Sequence, residues 1–285
     1  MTEVKRHRSD TKMVPVPSHS IVPERDVNEI PVLETRHLGI EFGGLKAVDD
    51  FNLTIGKTEI AGLIGPNGAG KTTVFNLLTK VYEPTSGAVL INGQDLHGMS
   101  IVQASRLGIA RTFQNIRLFD KMTVEENVRI GLHNQIKYDM FSGILRLPRY
   151  WKQEKRQHER AMELLDIFGM QDLADEVAGS LPYGAQRRLE IVRALATDPR
   201  LLLLDEPAAG MNPKETAELT DFIRQIRDRF KLTIFMIEHH MDLVMEISDR
   251  IYVLDFGTTI ATGDPAAIQN NERVIKAYLG EDEDA

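Results

Sequence analysis

The chain has 285 residues, of which 42% are hydrophobic and 27% charged, and its formal net charge at pH 7 is −8. This composition is ordinary for a globular protein that is long enough to bury a core. No apolar run approaches the roughly 18 residues of a membrane-spanning helix, and the N-terminal segment has no apolar stretch typical of a secretory signal. The acidic balance disfavours a nucleic-acid partner, and the absence of cysteine excludes disulfides and thiolate chemistry. We therefore expect a cytoplasmic protein that binds no nucleic acid.

Three regions are expected along the chain. Residues 1–30 mix proline, serine, glutamate and arginine without periodicity, which predicts a flexible leader. Residues 31–280 are expected to form a single domain, and residues 281–285 an acidic, solvated tail. Inside the domain, short alternating runs between residues 32 and 55 are interrupted at Gly43-Gly44, a pattern that predicts an antiparallel hairpin.

The rest of the domain alternates between strand and helix patterns. In chain order the predicted elements are a strand at Ile60–Ile64, a helix at Lys71–Lys80, a strand at Ala88–Ile91 ending at the turn Asn92-Gly93, a strand at Leu201–Leu204, a helix at Pro213–Phe230, a strand at Leu232–Ile237 and a helix at Met241–Ile247. A helical stretch from about 124 to 170 interrupts them. Alternation of this kind predicts an α/β fold with parallel strands and a ligand at their carboxyl ends.

A glycine-rich loop follows the first of these strands and opens a helix. The segment 65–72 satisfies the phosphate-loop pattern G-x-x-x-x-G-K-[ST] in full. The glycines allow the backbone N–H groups to face the phosphates, Lys71 neutralises phosphate charge, and the Thr72 hydroxyl can ligate Mg²⁺. We therefore predict that the chain binds a nucleoside triphosphate through Gly65, Pro66, Asn67, Gly68, Ala69, Gly70, Lys71, Thr72 and Thr73.

Two acids come directly after the all-leucine strand at 201–204. A fully apolar strand of this length is buried, so Asp205 and Glu206 are expected at its carboxyl end, on the edge that also holds the phosphate loop. Asp205 could then hold Mg²⁺, directly or through water. Glu206 could orient and deprotonate the water that attacks the γ-phosphate.

The segment Leu181-Pro182-Tyr183-Gly184-Ala185-Gln186 resembles the signature of ABC ATPases, which typically reads L-S-G-G-Q. It precedes an amphipathic run whose helix should start at the motif, and a helix amino end attracts anions. The resemblance implies that Tyr183, Gly184 and Gln186 contact the γ-phosphate of ATP held by a second subunit in a head-to-tail dimer. Pro182 stands where the family has a serine and Tyr183 where it has a glycine, so one hydroxyl contact is lost while the backbone donors remain.

Other family elements occur in the expected order. Gln114 resembles the Q-loop residue that senses Mg²⁺ and the γ-phosphate, and the segment 209–212 resembles the D-loop, which crosses to the other subunit. His239 resembles the switch histidine at the γ-phosphate, although the neighbouring His240 leaves the choice of ring open. Phe42 resembles the aromatic residue that stacks on adenine, and the alternative is that it is an ordinary core residue.

The resemblance is closest to the ATPase subunits of branched-chain amino acid importers. The segments that carry it are Tyr183–Ile191, Asp205–Pro213, Leu243–Val253, Val274–Gly280 and the stretch near Ile136–Trp151. It implies a P-loop NTPase core with an N-terminal antiparallel β-subdomain and a helical subdomain at about 115–185. ATPases of urea or short-chain amide importers and of lipopolysaccharide transporters have much the same pattern. Soluble ABC ATPases of translation or DNA repair are a further alternative, but they usually need a second cassette or long coiled coils.

The partners implied by the resemblance are two membrane permease subunits, a second ATPase subunit, identical or homologous, and indirectly a periplasmic solute-binding protein. The chain would then lie at the cytoplasmic face of the inner membrane. In the family the permease inserts a short helix beside the Q-loop. Four apolar residues after Gln114 could line that groove or could simply cover the core: Ile116, Leu118, Phe119 and Met122.

Overall fold

The computed structural model describes residues 30–132 and 148–279. The predicted tail at 281–285 lies outside the described residues, as do the predicted leader apart from Ile30 and most of the stretch 136–151. The strands and helices are β1 (Leu33–Phe42), β2 (Leu45–Ile55), β3 (Ile60–Ile64), α1 (Lys71–Leu78), β4 (Ser86–Ile91), β5 (Gln94–Asp95), α2 (Ile101–Arg106), β6 (Ile109–Arg111), α3 (Val124–Leu132), α4 (Pro148–Ile167), α5 (Tyr183–Leu195), β7 (Leu201–Asp205), α6 (Pro213–Phe230), β8 (Thr233–Ile237), α7 (Met241–Ile247), β9 (Arg250–Asp255), β10 (Thr258–Gly263), α8 (Pro265–Gln269) and α9 (Glu272–Leu279). None of the helices in the described ranges is long and apolar enough to cross a membrane.

Four strands form an antiparallel sheet in the order β2-β1-β4-β5. The hairpin between β1 and β2 turns at Gly43 and Gly44, whose φ angles of 56° and 91° lie in the left-handed region that glycine adopts without strain. The turn after β4 at Asn92-Gly93 has positive φ angles as well. Both predicted turns are therefore confirmed, and β4 begins slightly earlier than its sequence pattern indicated.

Six strands form the central sheet in the order β10-β9-β3-β8-β7-β6. All neighbours from β9 to β6 are parallel, and β10 pairs antiparallel with β9. Every residue of β3, β7 and β8 is buried. In β7 the side chains alternate: Leu201 and Leu203 pack towards α1 and the antiparallel sheet, whereas Leu202 and Leu204 pack towards the helices. The predicted α/β fold with a parallel core is confirmed.

Three helices, α3, α4 and α5, cover one face of the central sheet together with α6. The first of them begins at Val124, so residues 115–122 contain no helix, and α5 continues to Leu195, beyond the expected limit near 185. The helices predicted at 213–230 and 241–247 have the bounds that the sequence indicated. Local chemistry explains the first of these two, because Asn212 and Glu215 form a capping box around its amino end.

Gly131, in α3, packs directly against the last turn of α5. A Cβ at this position would lie 2.4 Å from the carbonyl oxygen of Arg193 and 2.8 Å from the Cβ of Ala196. Alanine would gain about 1 kcal/mol of helix propensity, but overpacking against a backbone carbonyl costs about 1–3 kcal/mol. We expect the clash to outweigh the gain, so that Gly131→Ala lowers the melting temperature by about 2–4 °C per kcal/mol of net loss, measured by circular dichroism. An unchanged or raised melting temperature would show that the two helices are not in contact here.

Candidate active site

The loop between β3 and α1 has the backbone geometry of a phosphate loop. Gly65, Gly68 and Gly70 have φ angles of 154°, 76° and 101°. A Cβ at Gly65 would lie 2.0 Å from the carbonyl oxygen of Leu254, and one at Gly70 would lie 2.5 Å from that of Ala47. Neighbouring backbone and positive φ together restrict both positions to glycine. Of the other predicted loop residues, Asn67 is exposed at the tip with Gly68, and Pro66 and Ala69 are buried.

Lys71 is the first residue of α1 and is 6% exposed. Its ammonium group donates hydrogen bonds to the carbonyl oxygens of Gly65, at 2.6 Å, and Pro66, at 2.7 Å. The positive charge therefore lies inside the loop that the motif assigns to the phosphates. Thr72 is exposed and Thr73 half-buried in the same first turn, where the helix end adds to the attraction for an anion.

Glu206 follows β7 at the carboxyl edge of the central sheet. Its amide donates to the carbonyl oxygen of Ile237 at the end of β8, at 2.9 Å. Its φ angle of 46° lies in the left-handed region, which is uncommon for residues other than glycine. Backbone strain of this kind persists only where surrounding contacts hold it, and it is concentrated at functional sites. Asp205 is the last residue of β7 rather than the first residue of the loop.

Two side chains hold the carboxylate of Glu206. The amide nitrogen of Gln114 donates to Oε2 at 2.6 Å. The Nε2 atom of His239 lies 3.0 Å from Oε1. Gln114 follows β6 and His239 follows β8, and these two strands flank β7 in the sheet. Three residues that are distant in sequence are thus brought together because their strands end at one edge.

The structure distinguishes the two neighbouring histidines. His239 contacts Glu206, whereas Nδ1 of His240 lies 3.2 Å from Oε2 of Glu238. Glu238 is buried, and its other carboxylate oxygen accepts a hydrogen bond from the amide of Ala208 at 2.7 Å. Glu238 and His240 therefore connect the loop after β7 to the loop after β8, and His239 is the ring that reaches the Glu206 carboxylate.

Asp205 has a partner that the sequence interpretation missed. One terminal nitrogen of Arg111 donates to Oδ2 of Asp205 at 2.6 Å, and both side chains are nearly buried. The other terminal nitrogen of Arg111 donates to Asn76, at 2.8 Å, and to Thr79, at 3.3 Å, both on the side of α1. Its guanidinium also lies 5.2 Å from the centre of the Phe113 ring. The signal that could have indicated this ion pair is the charged Arg111 at the end of the short strand β6, which pairs with β7.

The oxygen atoms near Asp205 are of the kind that Mg²⁺ prefers. Arg111 donates to one carboxylate oxygen of Asp205, and the other oxygen has no partner among the described residues. The Thr72 hydroxyl also has no partner among them. Gln114 donates through its nitrogen, so its carbonyl oxygen remains free to accept. The described ranges contain no group of three or more His, Cys, Asp or Glu residues that could hold a metal by themselves. An ion bound here would therefore take phosphate oxygens or water molecules as further ligands.

Phe42 ends β1 and is 47% exposed, so it is not the core residue that the alternative interpretation required. Tyr82 packs edge-on against its ring, with ring centres 5.4 Å apart and an angle of 73° between the planes. The face of an aromatic ring that is exposed and fixed by a neighbour is suited to stacking on a flat ligand.

Helix α5 begins at Tyr183, with Pro182 as its N-cap residue and no side-chain hydrogen bond at the cap. The Tyr183 hydroxyl donates to the carbonyl oxygen of Ala209, in the segment that resembles the D-loop, at 2.9 Å. Gln186 donates to the carbonyl oxygen of Leu181 at 2.8 Å, so its side chain folds back on its own loop. What the helix end offers to an anion is therefore the backbone N–H groups around Gly184 and the helix dipole.

A phosphate loop at the end of a buried parallel strand, with an acidic pair on the same sheet edge, defines a P-loop nucleoside triphosphatase core. Comparison with known proteins agrees. A family profile described as ABC transporter matches residues 48–209, and one described as branched-chain amino acid ATP-binding cassette transporter matches residues 258–284.

Individual proteins are similar over nearly the whole chain. A high-affinity branched-chain amino acid transport ATP-binding protein of Escherichia coli, LivG, is 50% identical over 88% of this chain and 98% of its own length. A lipopolysaccharide export ATP-binding protein of Haemophilus influenzae, LptB, is 32% identical over 88% of this chain and 98% of its own. The ADP conformation of MJ1267, an ATP-binding cassette of an ABC transporter, superposes with a TM-score of 0.77 at 29% identity, over 88% of this chain and 99% of that one. The chain belongs to the ABC transporter family as one of its ATPases.

Removing one partner of the ion pair between Arg111 and Asp205 should destabilise the fold strongly. Arg111→Met would leave a nearly buried carboxylate without its partner, which costs about 3–5 kcal/mol. We expect urea unfolding in the absence of nucleotide to show a loss of that order.

Adding Asp205→Asn to Arg111→Met removes the uncompensated charge, so the double variant should be more stable than Arg111→Met alone. If the single change costs less than about 1 kcal/mol, or if the second change recovers nothing, the two side chains are not a coupled pair.

Proposed function

We propose that the chain is the ATP-binding and ATP-hydrolysing subunit of an importer for branched-chain amino acids. The observation that carries the hydrolytic part is the Glu206 carboxylate, held between Gln114 and His239 at the edge that also carries the phosphate loop. The transported solute rests on similarity: 50% identity to LivG, against 32% to the lipopolysaccharide export protein, and the match of residues 258–284 to a profile of branched-chain amino acid transporters.

Binding begins at the phosphate loop. The Lys71 ammonium, which donates to two loop carbonyls at 2.6 and 2.7 Å, exchanges these partners for phosphate oxygens when ATP arrives. The loop amides and the amino end of α1 add donors that favour negative charge. Phe42, with its ring fixed by Tyr82, stacks on the adenine. The Thr72 hydroxyl, Asp205 and the Gln114 carbonyl would hold Mg²⁺, which neutralises charge developing on the phosphate oxygens.

Hydrolysis is an attack of water on the γ-phosphorus. Glu206 accepts the water proton as the oxygen–phosphorus bond forms, and the bond from the γ-phosphorus to the ADP oxygen breaks. Gln114 and His239 orient the carboxylate before the attacking water arrives. His239 also reaches the γ-phosphate once the site is closed.

A second ATPase subunit completes the site. No side chain of the described residues caps the amino end of α5, and its first backbone N–H groups are suited to bind an anion. In a head-to-tail dimer this end lies over the γ-phosphate held by the other copy, while the segment 209–212, tied to Tyr183, crosses to that copy.

The chain works with two permease subunits at the cytoplasmic face of the inner membrane, and through them with a periplasmic solute-binding protein. Phe119 is 47% exposed, with Arg193 lying 5.6 Å from the centre of its ring. Burial lowers the pKa of the Arg193 guanidinium. By contrast, Leu118 packs against the core cluster under the helices. Of the apolar residues that follow Gln114, Phe119 therefore presents the most surface to a permease helix, whereas Leu118 is needed for the fold.

Glu206→Gln removes the base but keeps the size and the hydrogen-bonding ability of the side chain. We expect the affinity for ATP to be retained and the turnover number to fall by about 100-fold or more. Fluorescent-nucleotide binding and phosphate release measure the two quantities. Glu246→Gln is the matched control, because Glu246 is an exposed carboxylate paired with Arg224. Turnover at the unmodified level would refute the assignment of the base.

The histidine variants provide a second control within the same assay. His239→Ala should slow hydrolysis with little change in ATP affinity, because its contact with the γ-phosphate forms only in the closed state. His240→Ala should hydrolyse ATP near the unmodified rate. The reverse result would mean that His240, not His239, serves the site.

Phe119→Asp should abolish co-purification with the permease subunits, because the apolar contact is lost and a carboxylate would have to be desolvated in the interface. The variant chain alone should fold and bind ATP normally, since Phe119 is exposed there. Leu118→Asp should instead lower the melting temperature of the isolated chain. Normal permease binding by a folded Phe119→Asp chain would place the groove elsewhere.

A further inference from the structure

Arg187 lies one turn into α5, and its side chain is 0% exposed. One terminal nitrogen donates to the carbonyl oxygen of Phe113 at 2.7 Å, and the other to that of Gln114 at 2.6 Å. The first nitrogen also donates to Oε2 of Glu190, at 2.8 Å. A buried arginine of the signature helix is thus bound to two consecutive peptide groups of the loop that carries the glutamine of the active site.

Glu190 binds the same loop through backbone amides, whereas Arg187 binds it through carbonyl oxygens. Its side chain is 1% exposed. The Oε1 atom accepts hydrogen bonds from the amides of Phe113, at 3.5 Å, and Arg117, at 3.3 Å. Arg187 and Glu190 together, here called the clamp, therefore occupy backbone groups at both ends of the segment 113–117, which has no helix or strand of its own.

Stability alone does not explain the clamp. Replacing a buried ion pair by apolar side chains of similar volume is often neutral or stabilising, because two charges must be desolvated. The hydrogen bonds of this pair do not compensate the desolvation cost completely, because Nε of Arg187 is buried without a hydrogen-bond partner in the described part of the chain. What an apolar pair could not supply is the set of hydrogen bonds that fixes the backbone of the segment 113–117.

We propose that Arg187 is a positioning residue for the hydrolytic carboxylate and that it couples the amino end of the signature helix to the segment 113–117. Arg187 fixes the Gln114 backbone, and Gln114 in turn donates to Glu206 at 2.6 Å. Arg187 also lies 3.5 Å from the hydroxyl of Tyr183, at the first residue of α5. The helix end that meets ATP of the second subunit is therefore coupled to the orientation of Glu206 in its own subunit. This inference rests on the proposed function of Gln114 and Glu206.

The test uses the double variant Arg187→Met/Glu190→Met, which removes both charges and leaves neither buried alone. We expect it to fold and to bind ATP with unchanged affinity. Turnover should fall by about 10- to 100-fold, because the catalytic groups lose their fixed orientation. Hydrogen exchange should accelerate at the amides of Phe113 and Arg117, which lose the Glu190 acceptor, and stay unchanged in β7 and β8.

A double-mutant cycle decides whether the clamp acts through Gln114. In a Gln114→Ala background, the clamp variant should cost little further turnover, because the side chain that it positions is already gone. Additive losses would overturn the proposal, as would normal turnover in a clamp variant whose exchange at 113–117 is accelerated. If Gln114→Ala by itself leaves turnover unchanged, the proposed role of Gln114 fails, and the exchange result still reports on the clamp.

The matched control is Arg129→Met/Glu154→Met, an ion pair that joins α3 to α4 away from the loop. It should leave both turnover and exchange at 113–117 unchanged, and a loss of turnover equal to that of the clamp variant would overturn the proposal. If the clamp variant does not fold, Arg187→Lys is used, because it keeps the pair with Glu190 but cannot span two carbonyl groups. It should reduce turnover at a nearly unchanged melting temperature, while exchange at the Phe113 and Arg117 amides changes little because Glu190 still accepts from them. Turnover at the unmodified level would overturn the proposal.

Discussion

The rest of the structure depends on the complete burial of three parallel strands. Every residue of β3, β7 and β8 is buried, so the candidate functional groups lie where the strands end, with Asp205 as the last residue of β7 and the others after the strands. Because the three strands run parallel, those ends share one edge. Lys71, Glu206 and His239 come after them, and the left-handed backbone at Glu206 directs its carboxylate between the residues that follow the flanking strands. The candidate active site is a consequence of strand order more than of sequence proximity.

Features with a local cause could be predicted from the sequence. The segment 65–72 is predictable because the positive φ angles and close contacts of its glycines permit few other residues. Asp205 and Glu206 are predictable because a run of four leucines must be buried and must end in a polar loop. The bounds of α6 follow from the capping box at Asn212 and from a proline in the first turn.

Features that depend on contacts distant in sequence could not be predicted in the same way. Arg111 and Asp205 are 94 positions apart, and Arg187 and Phe113 are 74 apart, so no spacing in the sequence relates them. Both arginines look like ordinary charged residues until the fold buries them. The sequence also could not show which of the two adjacent histidines contacts Glu206. That contact depends on the position of β8 beside β7, which brings His239 to Glu206 and His240 to Glu238.

In the proposed arrangement the signature helix serves two sites at once: its open end would meet a second subunit, while its buried Arg187 holds the 113–117 loop of its own subunit. A structure of the Glu206→Gln chain with ATP and Mg²⁺ bound tests this arrangement most directly. We predict a head-to-tail dimer in which each γ-phosphate contacts Lys71, Gln114 and His239 of one copy and the backbone around Gly184 of the other. A monomer with bound ATP, or a dimer whose α5 amino ends lie away from the nucleotide, would contradict it.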